Sequence, residues 1–219
     1  MSDKMEVYYF SPTGGTKKVS GIFAAAVGKE AVWHDFGDKQ TVIEQPQGEL
    51  IAVAAPVFAG RIPSVVREKI KTLAGEGKKA VAIAVYGNRA YEDALLEMHD
   101  ILLQAGFTVM AAAAFVAQHS IVPEVGAGRP DAEDEKEIRA FAEAVKNSTS
   151  AENIHVPGNR PYRPGMNVQV TPAAFAAILH SVRSMRKNLP DRCHIDCGRQ
   201  DGYGCSKMYS LYGLHSCVS

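Results

Sequence analysis

The stretch MEVYYFSPTGGTKKVSGIFAAAV, residues 5–27, decides the fold. Met5–Phe10 is an apolar, aromatic run of strand length that stops abruptly at Ser11-Pro12-Thr13-Gly14-Gly15-Thr16. After it, Val19, Ile22, Phe23, Ala26 and Val27 recur at helical spacing. Strand, tight glycine loop and helix follow one another with no spacer. Hydroxyl side chains at Ser11, Thr13 and Thr16, with glycines that let a ligand approach the backbone, make a cradle whose amides face an anion at the helix N-terminus. The same residues also read as a glycine-rich turn with Thr16 as the helix cap.

The alternation continues outward from this unit. Ala31–His34 reads as a second strand, and Leu50–Ala55, bounded by Gly48 and Pro56, as a third that is covered on both faces. Pro63 opens a helix carrying Val65, Val66, Ile70 and Leu73. Ala80–Tyr86 is a fourth strand, and a helix over Ala90–Gln104 carries Ala94, Leu95, Met98, Ile101 and Leu102 on one face before Gly106 ends it. Phe107–Val116 is a fifth strand, and Asp131–Val145 a helix whose acidic first turn suits its dipole. Five strands alternating with helices predict an α/β, doubly wound, parallel sheet with ligand chemistry at the carboxyl ends of the strands. Trp33, the only tryptophan, reads as core or edge packing away from those loops.

Beyond residue 146 the regularity fails. The sequence divides into a domain over 1–146, an extended connector over 147–170 punctuated by Pro157, Gly158, Pro161, Pro164 and Gly165, and a tail over 171–219. The tail begins with an amphipathic helix over 171–187.

Composition removes several function classes. Of 219 residues, 46% are hydrophobic and 22% charged, the balance of a chain that folds. Lys plus Arg (24) equals Asp plus Glu (24), so no bulk field attracts nucleic acid or an anionic membrane. The first 150 residues are the more acidic part and the remainder the more basic. No charged-then-apolar leader and no membrane-length apolar run occur, which makes the cytoplasm the expected address. All four cysteines lie at or beyond Cys193, so disulfides cannot hold the body together.

Three further loops sit where ligand chemistry is expected. Pro56-Val57-Phe58-Ala59-Gly60-Arg61-Ile62-Pro63 follows the third strand, and Gly87-Asn88-Arg89, with Tyr91, follows the fourth. Asn88 also reads as a helix N-cap and Arg61 as a solvated charge. Gln118-His119-Ser120 ends the fifth strand at the same rim, His119 as a polar rim residue before a proton donor.

The phosphate-type loop resembles that of the flavodoxins, Ser/Thr-x-Thr-Gly-x-Thr, matched by Ser11, Thr13, Gly14 and Thr16. The resemblance implies a sheet order of 2-1-3-4-5 and one flavin mononucleotide (FMN) across the ends of the first, third and fourth strands. It implies that Phe58 flanks the isoalloxazine ring and that Gly60 lets the backbone approach flavin N5. It also implies that the amides of Gly87, Asn88 and Arg89 meet the pyrimidine edge, with Tyr91 covering it. More closely, residues 5–165 resemble the bacterial and archaeal ferredoxins with an N-terminal flavodoxin-like domain, through SPTGGT, PVFAGRIP, YGNRAYEDAL, Gly128-Arg129-Pro130-Asp131 and the PGNRPY connector.

In that family the connector leads to two four-iron, four-sulfur (4Fe-4S) clusters held by closely spaced cysteines. Here Cys193, Cys197, Cys205 and Cys217 match only loosely, and four thiols exclude a second cluster. One cluster, a zinc site with His194 or His215 as an alternative ligand, or a remnant that binds nothing are the readings of the tail.

The expected function is electron transfer between redox partner proteins through FMN. Two redox alternatives stand beside it: an FMN-dependent oxidoreductase of quinones or similar small acceptors, with His119 or Tyr91 orienting the substrate, and a protein that pairs flavin with an iron–sulfur centre. A flavin-free signalling domain ranks last, because a phosphate-accepting receiver needs aspartates where this chain has hydroxyls and glycines.

Overall fold

A computed structural model describes residues 4–38, 43–148 and 154–164. The helix expected over 171–187, together with Cys193, His194, Cys197, Cys205, His215 and Cys217, lies outside the described residues.

The elements run β1 (Lys4–Tyr9), α1 (Gly15–Val27), β2 (Glu30–Asp35), β3 (Leu50–Pro56), α2 (Ser64–Lys71), β4 (Lys79–Tyr86), α3 (Ala94–Gln104), β5 (Thr108–Val116) and α4 (Ala132–Asn147). The strands form one five-stranded sheet of order β2-β1-β3-β4-β5, and every pairing is parallel. This is the flavodoxin-like doubly wound α/β fold.

Burial explains the order. Every residue of β3 but Pro56 is buried, and β4 is buried from Ala80 to Val85, as strands covered on both faces must be. Met5, Val7, Tyr9, Ala52, Ala54, Val81 and Ile83 face α1 and α4, where Val19, Phe23, Ile138 and Ala142 complete one core layer. Tyr8, Ile51, Val53, Ala82 and Ala84 face α2 and α3, meeting Val66, Ile70, Leu95, Met98 and Leu102. The edge strands are less covered. Trp33, on β2, is 40% exposed and packs edge-on against Tyr9 with ring centroids 5.6 Å apart.

One element differs from its sequence reading. The third helix starts at Ala94, not Ala90, because Glu92 takes a left-handed φ of 44° that no helix accommodates. Asp93 then stands at the N-cap but makes no capping bond with its side chain. Its carboxylate instead accepts from the Asn159 and Arg163 amides (2.8 and 2.6 Å) and from Asn159 Nδ2 (2.9 Å).

Residues 154–164 are therefore strapped to α3. Asp100, two turns further along that helix, accepts from Arg160 Nε (3.0 Å) and Tyr162 Oη (2.6 Å). Val156 is buried and Ile154 and Tyr162 pack against the same core layer. Among the described residues no helix is long and apolar enough to cross a membrane.

Among the carboxylates held below their ordinary values are Glu6, Asp93 and Asp100. Burial pushes the Glu6 pKa up, but the amides of Gly48 and Gln47, helped by Tyr8 Oη and His34, more than offset it and hold it low. Asp93 is likewise lowered, the amides of Arg163 and Asn159 outweighing burial. For Asp100, burial is overcome by Arg160, Tyr162 and His99, which bring it down to about 2.

A depressed carboxylate stabilises the fold above its unfolded-state value and loses that contribution as pH falls toward the folded value. The strap should therefore be fully docked at pH 6 and detach on acidification from about pH 4 to about pH 2. Nuclear magnetic resonance checks this: the Asn159 and Arg163 amide signals should move to disordered positions over that window, and in Asp100→Asn the midpoint should shift to higher pH.

Candidate functional site

A parallel sheet delivers every strand's carboxyl end to one edge, so the loops after β1, β3, β4 and β5 share a rim. The β1–α1 loop presents a bare helix N-terminus there. Gly14, at the N-cap, has a left-handed φ of 89°, and a side chain built on it would meet nothing within 4 Å. Ser11 closes the turn from outside, its Oγ accepting from the Lys17 amide at 2.9 Å and its carbonyl from the Gly14 amide at 3.4 Å.

The amides of Gly15 and Thr16 have no acceptor among the described residues, as the geometry of a helix start dictates. No acidic residue occupies the first turn of α1, which contains Lys17 and Lys18. The α4 N-terminus is the contrast: Asp131 takes the amides of Glu133 and Asp134 in a capping box, and Glu133, Asp134 and Glu135 fill its first turn. Thr16 is the second residue of α1 and buried, so Gly14 and not Thr16 is the cap.

After β3, Phe58 and Arg61 exchange backbone bonds (2.8 and 3.1 Å) across a two-residue turn with Ala59 and Gly60 both at positive φ. Phe58 stands at its outer corner, 45% exposed. Pro56 and Val57 are half-buried, the latter continuing the ladder to β4 through a 2.8 Å bond to the Val85 carbonyl. The inner half of the turn points elsewhere. Gly60 is buried beneath Glu92, and its carbonyl accepts from the Asp93 amide at 3.2 Å. Arg61 is not a solvated charge: its guanidinium grips buried Glu97 through Nε (2.9 Å) and NH2 (2.6 Å).

In the β4–α3 loop Asn88 adopts a left-handed φ of 62° and is not a helix cap, since α3 begins six residues later. Arg89 pairs with Glu92 at 2.5 Å, and Tyr91 packs edge-on against Tyr86 at 5.6 Å. The β5–α4 loop ties these parts together. Ala117 lies against Gly15, Gly126 lies against Asn88, and Arg129 reaches Asn88 Oδ1 at 3.4 Å while forking onto Asp134. Lys18 Nζ donates to the Pro130 carbonyl at 2.8 Å.

His119 accepts at Nδ1 from the amides of Ile121 (3.2 Å) and Val122 (3.1 Å), which assigns its remaining ring proton to Nε2. Its ring lies so close to Gly87 that a Cβ on that glycine would stand 2.5 Å from the imidazole.

The structure thus brings Ser11–Thr16 and Gly87–Arg89 to one rim with Phe58 exposed at the same end. It turns Gly60 and Arg61 inward and packs Tyr91 on the core. Sequence reasoning missed Glu92, Asp93, Glu97 and Arg129, which position these loops. The acidic pair in YGNRAYED was the one local signal.

No family model matches the sequence, and no curated protein matches it. Solved structures do align with it. A flavodoxin from the domain Archaea is 18% identical with a TM-score of 0.46, over 65% of this chain and 96% of that one. The two-electron reduced flavodoxin of Megasphaera elsdenii is 22% identical at 0.45, over 62% and 98%. The flavodoxin of Fusobacterium nucleatum, bound to flavin mononucleotide, is 13% identical at 0.47, over 65% and 96%.

The close approach of His119 to Gly87 makes that glycine obligatory. Gly87→Ala should cost about 1–3 kcal/mol by overpacking, measured by urea unfolding, and in the His119→Ala background the cost should fall to less than half.

Proposed function

We propose that this chain is a flavodoxin-like electron-transfer protein that holds one FMN across the carboxyl ends of β1, β3 and β4. The observation that carries the reading is the start of α1. Its Gly15 and Thr16 amides have no acceptor among the described residues, its first turn holds no carboxylate, and a Cβ built on Gly14 would meet nothing within 4 Å. That donor set fits a terminal phosphate dianion.

The remaining parts fit the rest of the molecule. Ser11 and Thr13 add hydroxyl donors to the phosphate, and the backbone of Gly87, Asn88 and Arg89 supplies polar groups for the pyrimidine edge. Phe58 covers a ring face and keeps water from it, with Pro56, Val57 and Ala59 beside it. Bound there, FMN supplies one- and two-electron chemistry. Arg61 takes no part in ligand contact, being held by Glu97. A redox partner protein meets the rim where Phe58 is exposed.

A second reading, reduction of a small acceptor such as a quinone, is favoured by His119, whose fixed tautomer offers Nε2–H as a donor. Steady-state turnover of quinones with a nicotinamide donor and no partner protein would favour it over the carrier.

Titration of the flavin-free chain with FMN and with riboflavin tests the main reading. FMN should bind at least tenfold more tightly, since each hydrogen bond to a charged group is worth about 1.5–3 kcal/mol. Thr13→Ala should weaken FMN several-fold and leave riboflavin unchanged. Equal affinity for the two flavins would sink the proposal.

A further inference from the structure

The Phe58–Arg61 turn does not rest on its two backbone bonds alone. Ala59 is held at a φ of 51°, a left-handed conformation that is unfavourable for a residue with a Cβ and that contacts from outside the turn help to hold. Those contacts run through the strap. The Gly60 carbonyl accepts from the Asp93 amide at 3.2 Å. The Asp93 carboxylate accepts from the Arg163 amide at 2.6 Å, and the Arg163 carbonyl accepts from Arg61 NH1 at 3.1 Å. Arg61 is covalently joined to Gly60, so these three bonds close a circuit through turn, helix start and strap.

Two further contacts lock the circuit. Glu97, 1% exposed, receives the Arg61 fork, Arg67 NH1 at 3.0 Å and the Ile62 amide at 3.2 Å. Tyr162 lies over the Arg61 guanidinium, 4.6 Å from centroid to Cζ, and is itself anchored on Asp100. The Arg61 guanidinium is thus sandwiched between a buried carboxylate and a strap aromatic, three residues from exposed Phe58.

We propose that residues 154–164 hold the Phe58–Arg61 turn in its ligand-facing form, with Arg61, Asp93 and Tyr162 as positioning residues, so that docking of the strap and binding at the turn are coupled. This rests on the reading that the turn faces a flavin. Coupling is reciprocal: a strap that favours one form of the turn is itself held more firmly when a ligand occupies that form.

Amide hydrogen exchange on the full chain, without flavin, tests the first half. Tyr162→Ala should speed exchange at Arg61 and Asp93 by about tenfold while Lys18 and Gly28, in bonds of α1, stay unchanged. Tyr162→Phe keeps the ring over Arg61 and should remain within about threefold of the parent. Unchanged exchange at the turn in Tyr162→Ala, with Asn159 and Arg163 exchanging faster, would overturn the proposal. If Tyr162→Ala does not fold, Asn159→Ala serves the same comparison.

Adding FMN to the parent chain tests the second half. Protection at Asn159 and Arg163 should rise several-fold, and FMN binding that leaves both unchanged would overturn the coupling. Absence of FMN binding would overturn the flavin reading alone, and the flavin-free exchange at the turn would still decide whether the strap holds it.

Discussion

A helix cannot satisfy the first amides of its own backbone, and in this fold that deficit is placed where the sheet ends. Parallel pairing forces the carboxyl ends of β1, β3, β4 and β5 onto one rim. At that rim α4 meets its deficit with Asp131, while α1 opens on Gly14 with no acidic residue in its first turn. The difference between these two starts sets the polarity of the site. One start is capped by its own side chains, and the other leaves its first amides without an acceptor among the described residues.

Much of the fold was legible because the inner strands are buried on both faces. Leu50–Ala55 and Ala80–Tyr86 are uninterrupted apolar runs, and the loop glycines fall where the strands stop. What was not legible depends on partners far away in sequence. Arg61 looked free because Glu97, its acceptor, lies 36 residues on and its aromatic cover, Tyr162, far beyond that. The start of α3 was misplaced for the same reason. Ala90–Asp93 has helical composition, but Glu92 turns left-handed and Asp93 serves the strap. The phosphate-type loop was legible as a motif, whereas the identity of its cap was not, since Gly14 and Thr16 both suit a helix start by residue type.

The strap changes how the connector is understood. Proline and glycine spacing reads as a loose extended segment, yet residues 154–164 bring a buried valine and a string of polar contacts onto α3. Carboxylates at Asp93, Glu97 and Asp100 lie on or at the start of that one helix, each with a different cationic or amide partner. A single helix thus orders a rim turn on one side and the outgoing chain on the other. Glu6 does comparable work at the β1–β2 side, gathering Tyr8, His34, Gln47 and Gly48 around one buried carboxylate.

We propose that one rim, organised by the bare start of α1, takes a phosphate-bearing flavin. The most direct measurement is an amide chemical-shift map of the isotopically labelled chain as FMN is added. The largest changes should fall on Gly15, Thr16, Phe58 and Gly87–Arg89, with the Gly15 and Thr16 signals moving downfield as their protons gain an anionic acceptor. Changes confined to the groove lined by Met110, Ile154 and Val156, or to the Glu6–His34 cluster, would contradict it.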